Sequence, residues 1–271
     1  MIALILLISE ISGLYKEHRQ ELFTSTQWAV NQGVQSGLTL SSLKTQWFNL
    51  KIRLFDRRWR EIRKRIKPGQ LVLDGGCGMG EWVQFLKLNG IEGIGLDYAA
   101  EMIRSLKQTY PETEWVQGEL QHLPIPDNHV DGVISWGVIE HDENGPQEAL
   151  KEFHRVCKVG GSIFVTVPFN TPHARRSSMS QFGDTQNNEH FFQYYMTETE
   201  LGNFVKEAGF EVEWVGASSR HYALVFPRLY YAAVKRGVVV NSLVQLLVMP
   251  IIAFLPSSLS MVMAIGRKTH E

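Results

Sequence analysis

The sequence predicts a doubly wound α/β domain, in which seven strands form a mostly parallel sheet covered by helices on both faces. Short apolar runs alternate with segments of helical periodicity, as expected for strands joined by crossover helices. After the first run, Gly76, Gly78 and Gly80 form a glycine turn that leads into a helical segment. The chain has 271 residues, 44% apolar and 20% charged, which is enough to bury a sizeable core and argues against a disordered or fibrous protein.

The predicted elements follow from these runs. The strands are expected at 70–74, 91–97, 113–117, 130–136, 162–168, 210–215 and 260–265. Helices are predicted over 80–89, 99–109 and 145–157, between the strands. A further helix is predicted over 197–208, because Thr197 followed three residues later by Glu200 is a capping-box pattern and Gly209 closes the segment.

The N-terminal part is predicted to consist of a helical extension, residues 1–47, ahead of the α/β domain, 48–271. Apolar residues at 48, 52, 55, 59, 62 and 66 are spaced four or three apart, which predicts one amphipathic helix ending at Pro68-Gly69. Residues 51–67 carry nine basic and two acidic side chains, a net charge of +7. The apolar run 1–8 is too short to span a bilayer and lacks the features of a secretory signal, so a cytoplasmic location is expected.

The composition argues against a nucleic-acid binder and against a fold held together by disulfides or zinc. The 27 basic and 28 acidic side chains nearly cancel, which argues against a dedicated nucleic-acid binder. The two cysteines, Cys77 and Cys157, are too few and too isolated for a disulfide framework or a zinc site, and no metal cluster is expected.

The glycine turn alone does not distinguish cofactor classes, because dinucleotide enzymes also carry one. The dinucleotide fingerprint G-x-G-x-x-G fails here, since Glu81 stands where its third glycine belongs. Asp74 directly precedes the glycines, and a carboxylate at this place would repel a pyrophosphate at the helix N-terminus. A nicotinamide-dependent oxidoreductase therefore stays only as an alternative.

Five segments in order resemble the motifs of class I S-adenosylmethionine (SAM)-dependent methyltransferases of the small-molecule type, which have a Rossmann-like fold. They are 72–80 (VLDGGCGMG), 93–102 (GIGLDYAAEM), 116–131 (VQGELQHLPIPDNHVD), 135–141 (SWGVIEH) and 152–161 (EFHRVCKVGG). The segment 190–196 (HFFQYYM) is also similar to small-molecule members. The resemblance covers 48–217 and the last strand, and it implies SAM as cofactor.

The resemblance also implies roles for the residues of the first two motifs. Gly76, Gly78 and Gly80 would admit the methionyl part of SAM, and Asp74 would help to hold its ammonium group. Asp97, at the end of the second strand, would accept hydrogen bonds from both ribose hydroxyls, and its alternative role is to cap the next helix.

Four later positions complete the implied cofactor site. Tyr98 would pack on one face of the adenine, while Glu119 and Leu120 would border the base. Trp136, followed by Gly137, would lie near the sulfonium. Tyr98 and Trp136 have plain packing as their alternative, and Cys77 is expected to be a small filler.

Methyl transfer needs a base only if the acceptor keeps a proton. His141 follows the fourth strand at the ligand-binding edge and is the candidate catalytic base, with a wall or helix-start role as the alternative. His190, Tyr194 and Tyr195 are secondary candidates for lining the acceptor pocket.

The chain carries no charged residue between Arg236 and Arg267. In the predicted fold, residues 217–258 form an insertion before the last strand, expected to be an apolar lid or a membrane-interface segment. This favours a hydrophobic or lipid-linked acceptor, with O-methylation slightly preferred, and a peripheral position at the inner membrane face. The alternative from another class is a SAM-binding protein without catalysis.

Overall fold

A computed structural model describes residues 49–50, 52–54, 56–169, 193–220, 244 and 260–270. Within these ranges the strands are β1 (Leu71–Gly75), β2 (Glu92–Asp97), β3 (Glu114–Gln117), β4 (Val130–Trp136), β5 (Cys157–Pro168), β6 (Glu211–Arg220) and β7 (Ser260–Arg267). The helices are α1 (Arg57–Arg65), α2 (Glu81–Lys87), α3 (Ala100–Thr109), α4 (Gln147–Val156) and α5 (Glu198–Glu207), and a 3₁₀ turn covers Ile139–His141.

The described strands form one sheet in the order β3-β2-β1-β4-β5-β7-β6. The first five strands are parallel, whereas β7 lies antiparallel between β5 and β6. The predicted mostly parallel, doubly wound α/β fold is therefore confirmed. The strand order reverses between β1 and β4, and ligands of such sheets bind in the crevice outside the carboxyl ends at that point.

Two hydrophobic clusters cover the two faces of the sheet, because neighbouring strand residues point to opposite sides. Leu73 and Val133 pack with helix α4 on one face, in a cluster that also takes in buried residues of α5. Val72 and Ile134 belong to the other face, which is covered by α1 and α2. Both faces are therefore covered by packed apolar side chains, as a parallel sheet requires.

The continuous helix predicted from residue 48 to Pro68 is wrong. Residues 49–50 and 52–54 are helical, but Asp56 has extended backbone angles (φ −83°, ψ 120°) and acts as the N-cap of α1. Its carboxylate accepts a hydrogen bond from the Arg58 backbone N–H at 2.8 Å. An aspartate side chain can compete in this way with helical hydrogen bonding, so the apolar periodicity did not reveal the break. Helix α1 ends at Arg65, with Ile66 already extended.

Several basic side chains of α1 are paired inside the protein, so the predicted positive surface is smaller than the net charge suggests. Arg57 lies 4.1 Å from the ring centre of Trp214 and donates to the Ala217 carbonyl. Arg65 pairs with Glu61 and Glu213. Residues Arg60, Arg63 and Lys67 are exposed on the helix or just after it.

Two other boundaries differ from the predicted ones. Strand β5 begins at Cys157 rather than at 162, because Gly160 takes a positive φ of 84° and donates to the Lys268 carbonyl, which keeps the chain beside the sheet. Strand β6 continues to Arg220, so residues 217–220 belong to the sheet and not to the predicted insertion.

The capping box predicted at Thr197 and Glu200 is present in both directions at the start of α5. The predictions for 1–47, His190 and the rest of the insertion fall outside the described residues, apart from the helical Val244. Within the part of the chain that the structure describes, no helix is both long and apolar enough to cross a membrane.

Candidate functional site

The glycine turn after β1 joins the ends of three strands. The N–H groups of Gly76 and Cys77 both donate to the Leu96 carbonyl of β2, at 2.8 and 2.9 Å. Gly76 and Gly80 have φ of 83° and 72°, and a Cβ at Gly76 would lie 2.5 Å from the Val138 side chain. The turn therefore needs glycine for its backbone angles and for the close approach of the chain after β4.

Asp97 fixes this turn at the end of β2. Its Oδ2 accepts from the Gly78 N–H at 2.9 Å, and its Oδ1 accepts from the Ala99 N–H at 3.0 Å. Each carboxylate oxygen can accept a second bond. The carboxylate does not cap α3, whose N-cap is Ala99 without a side-chain cap bond, and it keeps acceptor capacity for a ligand.

The carboxyl group of Asp74 is buried, and one of its oxygens has no hydrogen-bond partner among the described residues. The residue is 2% exposed, and the oxygen without a partner is Oδ1. Burial and, to a smaller extent, the charge of Asp97 together raise the pKa of Asp74 to about 8, although the charge of Arg58 acts in the opposite direction. An unsatisfied buried acceptor is costly, so this position fits a cationic ligand group.

Arg58 is a site residue that sequence reasoning missed. Its Nε and Nη2 bind the Asp56 carboxylate, and Nη1 has no partner among the described residues. The guanidinium carbon lies 4.8 Å from the ring centre of Trp82 and 5.1 Å from that of Trp136. The only sequence sign of this placement is Asp56 two residues before Arg58, a capping pattern hidden inside an apparent helix.

The residues predicted to border the adenine lie near the ends of β2 and β3. Tyr98 is 61% exposed and therefore has a ring surface open to a ligand. The Gly118 N–H donates to the Asp97 carbonyl at 3.1 Å, which brings the loop after β3 beside the end of β2. Glu119 in that loop is exposed, whereas Leu120 is buried and its Cδ2 lies 3.1 Å from where a Cβ of Gly75 would be.

Cys77 sits inside the glycine turn, and burial raises the pKa of its thiol well above the ordinary value. Such a thiol stays protonated and is a poor nucleophile. This agrees with the predicted role of a small filler. Among the described residues there is no group of three or more side chains suited to hold a metal ion.

The end of β4 brings together Trp136 and the 3₁₀ turn that contains His141. Trp136 contacts Trp82 with ring centres 5.2 Å apart, and its buried Nε1–H has no partner among the described residues. The His141 N–H donates to the Val138 carbonyl, and the His141 side chain is half-buried.

Tyr194 lies next to this 3₁₀ turn, because its backbone N–H donates to the Glu140 carbonyl. Tyr195 is half-buried. Glu140 was not among the site residues predicted from the sequence.

Comparison with known proteins settles the family. A family model described as "Methyltransferase domain" matches residues 20–215, well over half of the chain. The chain belongs to this methyltransferase family. The membership confirms the class I SAM-dependent methyltransferase predicted from the motifs, with SAM as its cofactor. It decides against the nicotinamide-dependent oxidoreductase and favours an enzyme over a SAM-binding protein without catalysis.

Individual relatives agree with this assignment. A probable S-adenosylmethionine-dependent methyltransferase from Mycolicibacterium smegmatis is 34% identical over 58% of this chain and 59% of its own length. A demethylmenaquinone methyltransferase from Renibacterium salmoninarum is 34% identical over 40% of this chain and 47% of its own. The methyltransferase thus spans about half the length of these curated relatives.

A solved structure supports the fold. The SAM-dependent methyltransferase of Methanosarcina mazei superimposes with a TM-score of 0.56, covering 78% of this chain and 98% of the other at 16% identity. At this identity the likeness concerns the fold, and the assignment of individual residues depends on the geometry described above.

Asp97→Ala should weaken SAM binding to the methyltransferase by at least tenfold, which corresponds to about 1.4 kcal/mol. The alanine removes the acceptor for the ribose hydroxyls and the bonds that hold Gly78. Isothermal titration calorimetry measures the affinity, with exposed Glu101→Ala on α3 as the charge-matched control and a thermal melt to confirm folding. Unchanged affinity in Asp97→Ala would contradict the ribose assignment.

Asp74→Asn should stabilise the ligand-free protein and weaken SAM binding. The pKa of Asp74 in the folded protein, about 8, lies above its ordinary value of 3.8, so its contribution to stability is full below pH 3.8 and is lost as the pH rises through 8. The gain in melting temperature over wild type should therefore be larger at pH 8 than at pH 5. Glu101→Gln serves as control, and a gain independent of pH would contradict the buried charge as its cause.

Proposed function

We propose that this methyltransferase moves the methyl group of SAM to a hydroxyl oxygen on a hydrophobic or lipid-linked small molecule. The observation that carries the proposal is the uncharged run 237–266, in which residues 237–256 include 14 apolar side chains. Strand β7 accounts for the end of this run. The residues before it are far more than an antiparallel connection needs, so a role beyond closing the sheet is expected of them.

The place where this segment leaves the sheet supports the same role. Strand β6 ends at Arg220 and β7 begins at Ser260, and both points lie at the edge where β1, β4 and β5 have their carboxyl ends. Residues 221–259 are therefore attached to the ligand-binding edge of the sheet. An apolar segment at that edge favours an apolar acceptor.

The described residues fit SAM, whose amino-acid tail carries a positive ammonium and a negative carboxylate. The unpartnered Oδ1 of Asp74 would accept from the ammonium of the amino-acid tail, and the Arg58 guanidinium would face its carboxylate. Asp97 would accept from the ribose hydroxyls, and Tyr98 would cover the adenine. The glycine turn, which leaves no room for a Cβ at Gly76, would lie against the methionyl part.

The bound cofactor supplies an activated methyl group whose leaving sulfur becomes a neutral thioether. The protein's own contribution is to align the acceptor oxygen with that methyl group and to exclude water. Trp136 and Trp82 form an aromatic wall at the end of β4, beside the expected position of the positive sulfur. A hydroxyl acceptor also requires a group that takes its proton.

Labelled methyl transfer tests the acceptor class. The enzyme is incubated with SAM carrying an isotopic methyl group and an extract of the cells that produce it, and the lipid and aqueous fractions are analysed by mass spectrometry. Label should enter the lipid fraction as an O-methyl group, and Asp97→Ala should lower the labelling when SAM is kept below the wild-type Kd. Label found only in the aqueous fraction would contradict the hydrophobic acceptor, and label on carbon or nitrogen would contradict the hydroxyl.

We also propose that the enzyme is cytoplasmic and binds peripherally to the inner membrane face. A hydrophobic acceptor would reside in that membrane. Three exposed basic side chains would attract anionic headgroups: Arg60 and Arg63 on α1, and Lys67 two residues after its end. Each charge near the membrane surface contributes roughly 1 kcal/mol.

Flotation with liposomes tests the membrane contact. Wild-type protein should float with vesicles rich in phosphatidylglycerol, and the double variant Arg60→Glu/Arg63→Glu should bind at least tenfold more weakly. The double variant Arg104→Glu/Lys107→Glu on exposed positions of α3 makes the same change of net charge and should float like wild type. Wild-type protein that stays at the bottom of the gradient would remove the membrane part of the proposal.

A further inference from the structure

Two polar groups without partners lie within five residues of each other where β4 ends. Among the described residues, neither the indole Nε1–H of Trp136 nor the Oε2 of Glu140 has a hydrogen-bond partner, and both atoms are buried. The Glu140 residue is only 1% exposed. Buried polar atoms almost always have a hydrogen-bond partner, so two buried atoms without one at the ligand-binding edge point to a polar ligand.

The surroundings place Glu140 on the side of that edge where β7 begins. A Cβ at Gly137 would lie 3.4 Å from the Glu140 Oε1 and 3.5 Å from the Met261 Cε. The carboxyl group therefore lies over the end of β4, near the start of β7. The uncharged run of the proposed function, which begins at residue 237, leads into β7 at this point.

The environment of Glu140 also suits proton transfer. Burial raises its pKa to about 8, and only the N–H of the same residue opposes the effect. Proton transfer is most efficient when the pKa of the group lies near the working pH. In the part of the chain that the structure describes, Glu140 has no cationic partner, and such a buried carboxyl costs stability that glutamine would not cost. The residue is therefore better explained by chemistry than by packing.

We propose that Glu140 is the catalytic base that binds the hydroxyl group of the methyl acceptor and removes its proton. The inference rests on the proposed function and takes over the role expected for His141. The acceptor oxygen forms a bond to the methyl carbon, the bond from methyl to sulfur breaks with its electron pair going to sulfur, and the hydroxyl proton passes to Glu140 and then to water.

A binding experiment tests the contact without turnover. Calorimetry with the S-adenosylhomocysteine complex compares 1,4-naphthohydroquinone, kept reduced, with 1,4-dimethoxynaphthalene, which lacks both hydroxyl hydrogens. Wild type should prefer the hydroquinone by at least tenfold, and Glu140→Leu should lose the preference. Glu143→Leu, an exposed glutamate in the same loop, is the matched control and should keep it. A preference that survives in Glu140→Leu overturns the contact.

Kinetics tests the proton transfer. With the same hydroquinone as acceptor, Glu140→Gln should lower kcat at least 100-fold while the Kd for SAM stays within twofold, and Glu143→Gln should match wild type. Normal turnover in Glu140→Gln overturns the base and leaves the proposed function standing. If wild type neither binds nor methylates the hydroquinone and its natural product carries the methyl group on carbon or nitrogen, both proposals fail together.

Discussion

The site depends on one carboxylate, that of Asp97, which accepts hydrogen bonds from the N–H groups of Gly78 and Ala99. These two bonds join the glycine turn after β1 to the start of α3, so they fix the edge of the sheet at which the strand order reverses. The turn cannot relax elsewhere, because the Val138 and Trp115 side chains fill the space beside Gly76 and Gly80. A rigid wall with little side-chain volume results, as close approach of a ligand to the main chain requires.

Two further acids, Asp74 and Glu140, are kept at this edge at a cost to the ligand-free protein. Burial raises the pKa of each to about 8, and each has an oxygen without a partner among the described residues. Their surroundings nevertheless differ. Asp74 has the Arg58 guanidinium near it, so this part of the site presents both signs of charge. Among the described residues no cation acts on the Glu140 carboxyl in this way, which suits a group that exchanges a proton rather than one that holds a charged ligand.

Most of the fold could be predicted from local patterns, because buried parallel strands and their glycine and capping residues have strong sequence signatures. The placements of Asp74, Asp97 and the glycines followed from the same patterns. Arg58 and Glu140 could not be found in this way. Arg58 reaches the site only because Asp56 breaks the helix, and a cap inside a regular apolar stripe is invisible to periodicity. Packing of segments that are distant in the sequence buries Glu140 and leaves its Oε2 without a hydrogen-bond partner among the described residues. Its neighbour His141, by contrast, is a candidate base by residue type alone.

The position of β7 has a consequence for synthesis and folding. This strand is the last of the seven in chain order, yet it lies between β5 and β6 and pairs with both. As the chain leaves the ribosome, β5 therefore keeps an open edge while residues 221–259, which include the uncharged stretch from 237, emerge. Open strand edges and apolar segments are the features that promote aggregation of nascent chains. The sheet closes only when 260–267 arrive, so the stretch proposed to serve the acceptor is also the stretch that most needs protection before folding is complete.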